Sequence, residues 1–528
     1  MRAVKRGGGV AAARYRPGQA HRAAAGARSP SEPYLQRILN ARVYEICIET
    51  PLQEAPVLSG RLLNSVLVKR EDLQPVNSFK LRGAYNAIAG LSEMQRESGI
   101  VACSAGNHAQ GVAMSSTMLG IDAAILMPVA TPAIKVDAVR RHKGNVILHG
   151  QNYDDAQDEA LRLVAAEGRT LIHPFDDPLV IAGQGTIGME VLKQTTGRPL
   201  DAIFVCCGGG GMLAGIAAYV KRVRPDVKVI GVEAEDAAAM TVSLERGERV
   251  RLETVGSFAD GAAVRLVGTE TFRLCDELVD GMITVSNDEI CAAIKDGFND
   301  TRCVLEPAGA LALAGLKRYV ATTGAEGQTL CAIASGANMD FDRLRFVSER
   351  ADASETLLSV LIPERPGAFK EMYAHISPRN VTEFSYRMSV DQKAAIFCSF
   401  QSRGDDDAVA VEESLEAAGF GVKNLDHNEM AKVHARHLAG GRAPGVVNER
   451  LFRFEFPEQP GALNRFLDSM EGGWNVSLFH YRNHGADVGR VLVGIQVGED
   501  DLLFSEWLEK LDFRHVEETD NHCAETFL

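Results

Sequence analysis

The 528-residue chain has ten cysteines and no C-x-x-C pair among them, which removes the usual thiol-redox and zinc-ribbon signatures. Its one adjacent pair, Cys206-Cys207, lies in an apolar run and reads as core, so a reducing compartment is expected. Positive charge is not in excess either: 56 Lys and Arg face 70 Asp and Glu, a formal charge of -14. A nucleic-acid surface needs clustered cations to release phosphate counterions, so no nucleic-acid partner is expected and small molecules are. The one long uncharged run, Ile203 to Val220, is interrupted by five glycines. They divide it into strand, loop and helix start, and no membrane span is expected. Residues 1 to 31 hold no acid at all but seven Arg or Lys, and they lack the apolar centre of a secretory signal. Residues 1–32 therefore read as a transit peptide to an organelle, a plastid before a mitochondrion. A disordered basic tail on a cytoplasmic protein is the alternative.

What is present is alternation. From about residue 60 to 340, short β-rich runs (IVACS, AAILMP, NVILHG, TLIHPF, AIFVCC) are each followed by a helical or glycine-rich stretch. Spacing of this kind means βαβ crossovers and mostly parallel, doubly wound sheets, an α/β fold whose ligands bind on the loops at the carboxyl ends of strands. The last third repeats itself. PERPGAFKEMYAHI from Pro363 matches PEQPGALNRFLDSM from Pro457 at an offset of 94, and NVTEFSYR from Asn380 matches NVSLFHYR from Asn475 at an offset of 95. Two copies of one α+β module follow, each a strand, a Pro-Gly corner, a helix and a second strand ending in Tyr-Arg. The expected organisation is a leader at 1–32, a main domain at 33–350, modules at 356–428 and 450–528, and a linker at 429–449. The H-x-x-H from His434 falls in that linker and reads as linker or surface, with no metal expected.

Three loops could carry chemistry. Gly208, Gly209, Gly210 and Gly211 lie between a strand and the helix beginning near Met212. Bare N–H groups at a helix start suit a phosphate. Gly209, Gly211 and Ala214 also satisfy G-x-G-x-x-A, with Glu233 24 residues after Gly209, so a dinucleotide and another phosphorylated cofactor stay equally open. The second loop, Ser104-Ala105-Gly106-Asn107-His108, offers small residues and free amides for a carboxylate, or is merely a capped helix. The third is VNSFKLRGAY, residues 76–85. There a helix dipole and the neighbouring Arg82 are expected to depress the pKa of Lys80, favouring the neutral amine that a Schiff base needs. Most lysines are simply solvated.

In order along the chain, SFKLRGA, SAGNHAQG, the tetraglycine and SGAN (Ser335 to Asn338) resemble the pyridoxal-phosphate enzymes of the tryptophan-synthase-β fold. From about Tyr34 onward the chain is similar, within these, to biosynthetic threonine dehydratases, including LVKREDLQPVNSFKLRGAYN, GVEAEDA, FADGAAV, LEPAGALA and RLRFVSER. The resemblance implies a fold-type-II catalytic domain of two subdomains followed by two ACT-like regulatory modules, and it replaces the dinucleotide with pyridoxal phosphate. It implies that Lys80 carries the cofactor and serves as base, that Gly208 to Met212 hold its phosphate, that Asn107 meets its 3-hydroxyl and Ser335 its ring nitrogen. Ser104, Ala105, Gly106, Asn107 and His108 would hold the substrate carboxylate, with Ser104 and Glu306 joining Lys80 among the catalytic candidates. The implied reaction takes L-threonine, and L-serine more weakly, to a 2-oxo acid and ammonia. Isoleucine is the implied inhibitor, valine its antagonist, and a homotetramer the implied assembly. Tyr386, Arg387, Tyr481 and Arg482, matched across the repeat, are either effector contacts or strand residues at a subunit interface. Two departures stand out. Met212 replaces the more usual Leu, a volume-conserving change. Ala239 stands where cation-binding relatives carry an acid, six residues after Glu233, which argues against a metal there.

Overall fold

The computed structural model describes residues 32–350 and, outside 364–367, 380, 388–392, 403, 435–446, 458–465, 467–468, 470–473, 483–487, 499–500 and 512, residues 355–528. Residues 1–31 of the leader, both Pro-Gly corners and His437 of the H-x-x-H lie outside these residues, and Glu32 already opens the helix Glu32–Leu39. The chain forms two compact units that part between Ala351 and Asp352.

Unit one holds two sheets. Its ten strands are β1 (Leu52–Glu54), β2 (Ser65–Arg70), β3 (Ile100–Cys103), β4 (Ala123–Met127), β5 (Asn145–Leu148), β6 (Thr170–Leu171), β7 (Ala202–Cys206), β8 (Lys228–Ala234), β9 (Gly281–Val285) and β10 (Thr329–Ala334). The larger sheet runs β1-β2-β10-β7-β8-β9 and the smaller β5-β4-β3-β6. Every pairing is parallel except β1 with β2. Helices on both faces explain the strand composition: all five residues of β7 (AIFVC) and all six of β10 (TLCAIA) are buried, leaving no alternation. The one shortened element is β6. TLIHPF contributes only two strand residues, and His173-Pro174-Phe175 leaves the sheet as a loop.

The helix Lys80–Ala89 packs against the helices Asn107–Leu119 and Pro178–Gln194. Hydrophobic burial alone does not fix it, because it carries a charge into the interior. Arg82 is fully buried, its Nε 2.7 Å from Glu71 Oε2 and its Nη1 2.6 Å from Glu190 Oε1. Glu190 also takes Lys69 Nζ at 2.6 Å, and that amine donates again to Thr50 O at 2.6 Å. Two cations and two anions thus cancel inside the protein. Burial would raise the Glu71 carboxyl, but the Arg82 guanidinium more than reverses this and holds it below the usual range. Removing one member of such a set strands its partners and costs about 3–5 kcal/mol, whereas an exposed pair such as Arg162–Glu159 is screened by water.

Unit two holds two four-stranded antiparallel sheets: β11 (Glu355–Pro363), β12 (Val381–Arg387), β13 (Lys393–Gln401) and β14 (Gly421–Asn424), then β15 (Glu449–Pro457), β16 (Asn475–Arg482), β17 (Val488–Gln496) and β18 (Arg514–Glu517). Their orders, β12-β13-β11-β14 and β16-β17-β15-β18, are the same topology twice. Even the register shift recurs, between Val381 and Glu383 and between Val476 and Leu478. The copies share an apolar seam of Leu357, Phe397, Leu425, Met430 and Ala431 against Leu451, Leu492, Cys523 and Ala524. This corrects the expected linker at its start. Glu429–Val433 is a helix whose Met430 and Ala431 are buried in the seam, so the first module runs past residue 428.

Candidate active site

Lys80 opens its helix, and the residues before it are stitched to the loop after β10. Phe79 N–H donates to Ser335 O at 3.1 Å, Ala337 N–H to Asn77 O at 2.9 Å, and Asn338 Nδ2 to Val76 O at 2.8 Å. The amine of Lys80 is thereby held among the loops at the carboxyl ends of the strands, donating to Pro174 O at 2.9 Å. Burial pushes its pKa down to about 8, against the opposing pull of Cys206 and Glu306. The expected cause was different. Arg82 plays no part, since residues two apart on a helix do not face each other and its guanidinium is engaged with Glu71 and Glu190.

The tetraglycine follows β7 and leads into the helix Gly211–Val223. Gly210, its N-cap, sits at φ +95°, where a Cβ would be strained and would come within 2.9 Å of Thr271 Cβ. The Phe175 ring occupies the space a Cβ on Gly209 would need. Thr271 Oγ1 donates to Gly209 O at 2.6 Å and fixes the loop. The first N–H groups of the helix have no intrahelical acceptor, so this turn presents donors to an anion. Met212 is buried in the core beside it. Glu233, the acid that a dinucleotide reading needs, is fully buried and already committed: it accepts Met240 N–H and Thr241 N–H, each at 2.8 Å, and Thr241 Oγ1 at 2.7 Å. It cannot meet a ribose. Among the described residues no three His, Cys, Asp or Glu side chains are grouped as a metal would need.

Asn107 begins its helix after a glycine N-cap, at the end of β3. Its Nδ2 donates to Glu306 Oε1 at 2.6 Å and its Oδ1 accepts Asn338 Nδ2 at 2.7 Å, so the amide is held in one orientation. Ser104 Oγ accepts Gly106 N–H at 3.3 Å. Ala105 and Gly106 add only backbone, and so does His108, whose buried ring turns away to Ile172 O at 2.9 Å. Burial, reinforced by Lys80, lowers that imidazole to about 3 and keeps it neutral. Glu306 is also buried, and burial together with Asp260 raises its carboxyl to about 7. Ser335, at the end of β10, donates to Ala308 O and accepts Cys206 Sγ, both at 3.3 Å.

Two features were not read from the sequence. The Pro174-Phe175 loop, taken for strand, supplies the acceptor of Lys80 and covers Gly209; the prolines of HPFDDP were the only local signal. A charged bridge joins distant segments: Asp260 Oδ2 lies 2.8 Å from Lys135 Nζ and its Oδ1 3.3 Å from Arg343 Nη1. Nothing in the spacing announced it. The effector candidates belong to unit two, at equivalent ends of edge strands: Tyr386 and Arg387 pair with Ile396 and Ala395, Tyr481 and Arg482 with Val491 and Arg490.

A buried lysine with a depressed pKa, a glycine turn with free N–H donors at a helix start, an amide loop and a serine hydroxyl have the chemistry that suits pyridoxal phosphate, and two mostly parallel sheets are those of a fold-type-II enzyme of that cofactor. Residues 44–336 match the family of pyridoxal-phosphate dependent enzymes, and 348–435 and 440–528 each match the C-terminal regulatory domain of threonine dehydratase. The biosynthetic L-threonine dehydratase IlvA of Burkholderia multivorans is 54% identical over 505 residues, covering 94% of this chain and 99% of that protein. The mitochondrial threonine dehydratase of Saccharomyces cerevisiae is 50% identical over 513 residues, covering 94% and 89%. The processed form of threonine deaminase isoform 2 from Solanum lycopersicum superposes with a TM-score of 0.60 at 49% identity, over 62% of this chain and 89% of that one. The chain belongs to the biosynthetic threonine dehydratase family.

The depressed Lys80 pKa has a measurable consequence. Only the neutral amine can attack an aldehyde, so recombination of the cofactor-stripped protein with pyridoxal phosphate rises through an apparent pKa of about 8. Stopped-flow absorbance across pH 6.5 to 10 reads it; a rise centred on the ordinary lysine value, about 10.4, would show that the amine is solvated.

Proposed function

We propose that the chain converts L-threonine to 2-oxobutanoate and ammonia at the loops around Lys80, as the first committed step towards isoleucine. The observation that carries the residue-level reading is the buried amine of Lys80, held among loops suited to a phosphate, a ring and a carboxylate. Pyridoxal phosphate, when bound, supplies an electron sink for the bond broken at Cα. The chain supplies the rest. N–H groups of Gly208 to Met212 would take the phosphate, and the amine of Lys80 would hold the cofactor. With the cofactor bound, the amine of Lys80, when free, would be the base that takes the Cα proton. Ser104 and the N–H groups to His108 hold the carboxylate, which aligns the Cα–H bond with the base. Asn107, its amide set by Glu306 and Asn338, would meet the ring hydroxyl. Ser335 would meet the ring nitrogen with a neutral hydroxyl, a weaker support for positive charge than a carboxylate, which would favour rapid loss of the β-hydroxyl. Glu306, near its midpoint at neutral pH, is placed to hold or give a proton beside Asn107. The β-hydroxyl leaves as water; one water is taken up when the released enamine hydrolyses, which leaves 2-oxobutanoate and ammonia.

Turnover of L-threonine by the purified protein tests the reading directly. Lys80→Ala is expected to abolish 2-oxobutanoate formation with the melting temperature little changed. L-Serine is expected to be about 10- to 200-fold poorer in kcat/KM, the worth of one methyl in a pocket. Full turnover by the alanine variant overturns the assignment.

Isoleucine is the proposed inhibitor and valine its antagonist, acting through the C-terminal modules, which must bind isoleucine better in the less active state. The recurrence of Tyr-Arg at matching ends of β12 and β16 supports those residues as contacts. Tyr481→Phe and Arg482→Ala enzymes are expected to need more isoleucine for half-inhibition, and unchanged inhibition removes the pair from the site. Light scattering of the same preparations checks the proposed homotetramer. The acid-free leader, together with a relative named as mitochondrial, supports an organelle address. A fluorescent protein fused after residue 40 should enter plastids or mitochondria; a cytoplasmic signal favours the basic-tail reading.

A further inference from the structure

At the seam of the two C-terminal modules lies a cavity of about 390 Å³, lined by Asn424, His427, Asn428, Arg453, Glu518 and Asn521, with Met430 as its apolar wall. Its floor is built by the repeat. Asn428 and Asn521 occupy the same place in the two copies, cap equivalent helices through Ala431 N–H and Cys523 N–H, and meet at 3.0 Å. The backbone around them is also duplicated, since Leu425 N–H donates to Leu357 O as Glu518 N–H donates to Leu451 O.

The charges are not duplicated. Arg453 and Glu518 correspond, through those same pairings, to Ser359 and Leu425 in the first copy. The first copy folds with a hydroxyl and an isobutyl group there, so the module does not require the ion pair for its architecture. In the second copy Arg453 Nε donates to Glu518 Oε1 at 3.0 Å, and Glu518 Oε2 accepts Asn521 Nδ2 at 2.7 Å. Both side chains are largely buried, at 15% and 10% exposure. Among the described residues the two terminal amino groups of Arg453 make no hydrogen bond, and they are not sealed from solvent, so they are open to an acceptor that enters the cavity. A planar pair of N–H donors matches a carboxylate.

We propose that this cavity binds a small α-amino acid, its carboxylate on the terminal amino groups of Arg453, its ammonium on Glu518 and its apolar side chain against Met430. The site rests on the regulatory reading above but is distinct from the Tyr-Arg pairs. Arg453 lies on β15, between β17 and β18, whereas Tyr481 and Arg482 lie on β16, two strands away at the other edge, roughly 10 Å across the sheet. It straddles both modules, so its occupant bears on their seam.

The test is equilibrium dialysis of labelled isoleucine and labelled valine against the full-length holoenzyme. Arg453→Gln removes the fork and keeps a donor for Glu518. Asn424→Trp fills the exposed rim and leaves the ion pair intact. Each is expected to weaken one of the two amino acids about tenfold or more, with kcat and KM for threonine unchanged when neither effector is added. Arg482→Ala serves as comparator. If both variants bind both amino acids as the wild type does, the seam site is wrong while the regulatory reading stands. If the wild type binds neither amino acid, the regulatory reading fails and the seam site with it. Should Arg453→Gln lower the melting temperature, Asn424→Trp alone decides between these outcomes.

Discussion

Arg82 is a full charge held out of water two residues beyond Lys80, and the catalytic unit is arranged around keeping it there. Its neutralisation takes an acid from the end of β2, an acid from the helix Pro178–Gln194 and a second cation from β2 to balance them. The two acids come from different parts of the fold, Glu71 at the end of β2 and Glu190 on the helix Pro178–Gln194, so satisfying the charge ties these elements to the Lys80 helix. A buried ion pair is weak evidence for stability, because desolvation offsets attraction. It is a geometric constraint: in this packing all four groups are paired. Lys80, on the opposite side of the same first turn, receives its position from that requirement.

Two oppositely treated charges therefore share one helix start. Arg82 is paired so completely that it cannot lose its proton. Lys80 is desolvated with only a carbonyl as acceptor, and its pKa falls to about 8. The same burial acts on Glu306 with the opposite sign, lifting it to about 7, and on His108, which it holds neutral. One dry pocket thus brings an amine and a carboxyl towards each other on the pH scale, and both can exchange protons near neutrality. Asp260, itself bridged to Lys135 and Arg343, adds to the lift on Glu306, while Asn107 and Asn338 contribute neutral amides.

How much of this was legible follows from how local each signal is. The tetraglycine, the Ser104–His108 loop and Lys80 stand at strand ends because each announces itself within a few residues, by absent side chains or a helix start. The duplicated module was legible from its offset, down to the equivalence of Tyr386-Arg387 and Tyr481-Arg482. Arg82 was misread because adjacency in sequence was taken for adjacency in space, and a helix separates residues two apart. TLIHPF was misread because an apolar run does not reveal where a strand lets go. Asp260, Lys135 and Arg343 could not be read at all: their meeting joins positions 125 and 83 residues apart, and pairwise contact of that kind leaves no local trace.

The duplication separates what folding demands from what it permits. Where both copies need a group, both have one of the right kind: Asp426 Oδ1 accepts Leu357 N–H at 2.7 Å, and Thr519 Oγ1 accepts Leu451 N–H at 3.0 Å. Asp and Thr differ in charge, yet either satisfies a backbone donor at a strand end. Asn428 and Asn521 are kept identical because each must cap its own helix and the two must also bond each other across the seam. Ser359 and Arg453 share neither requirement. Their pairings within the sheet are made by backbone alone, so the side chain is free to diverge, and it has diverged from a small hydroxyl to a guanidinium. An internal repeat in this way supplies its own control, in which the second copy shows what the first copy's fold can do without.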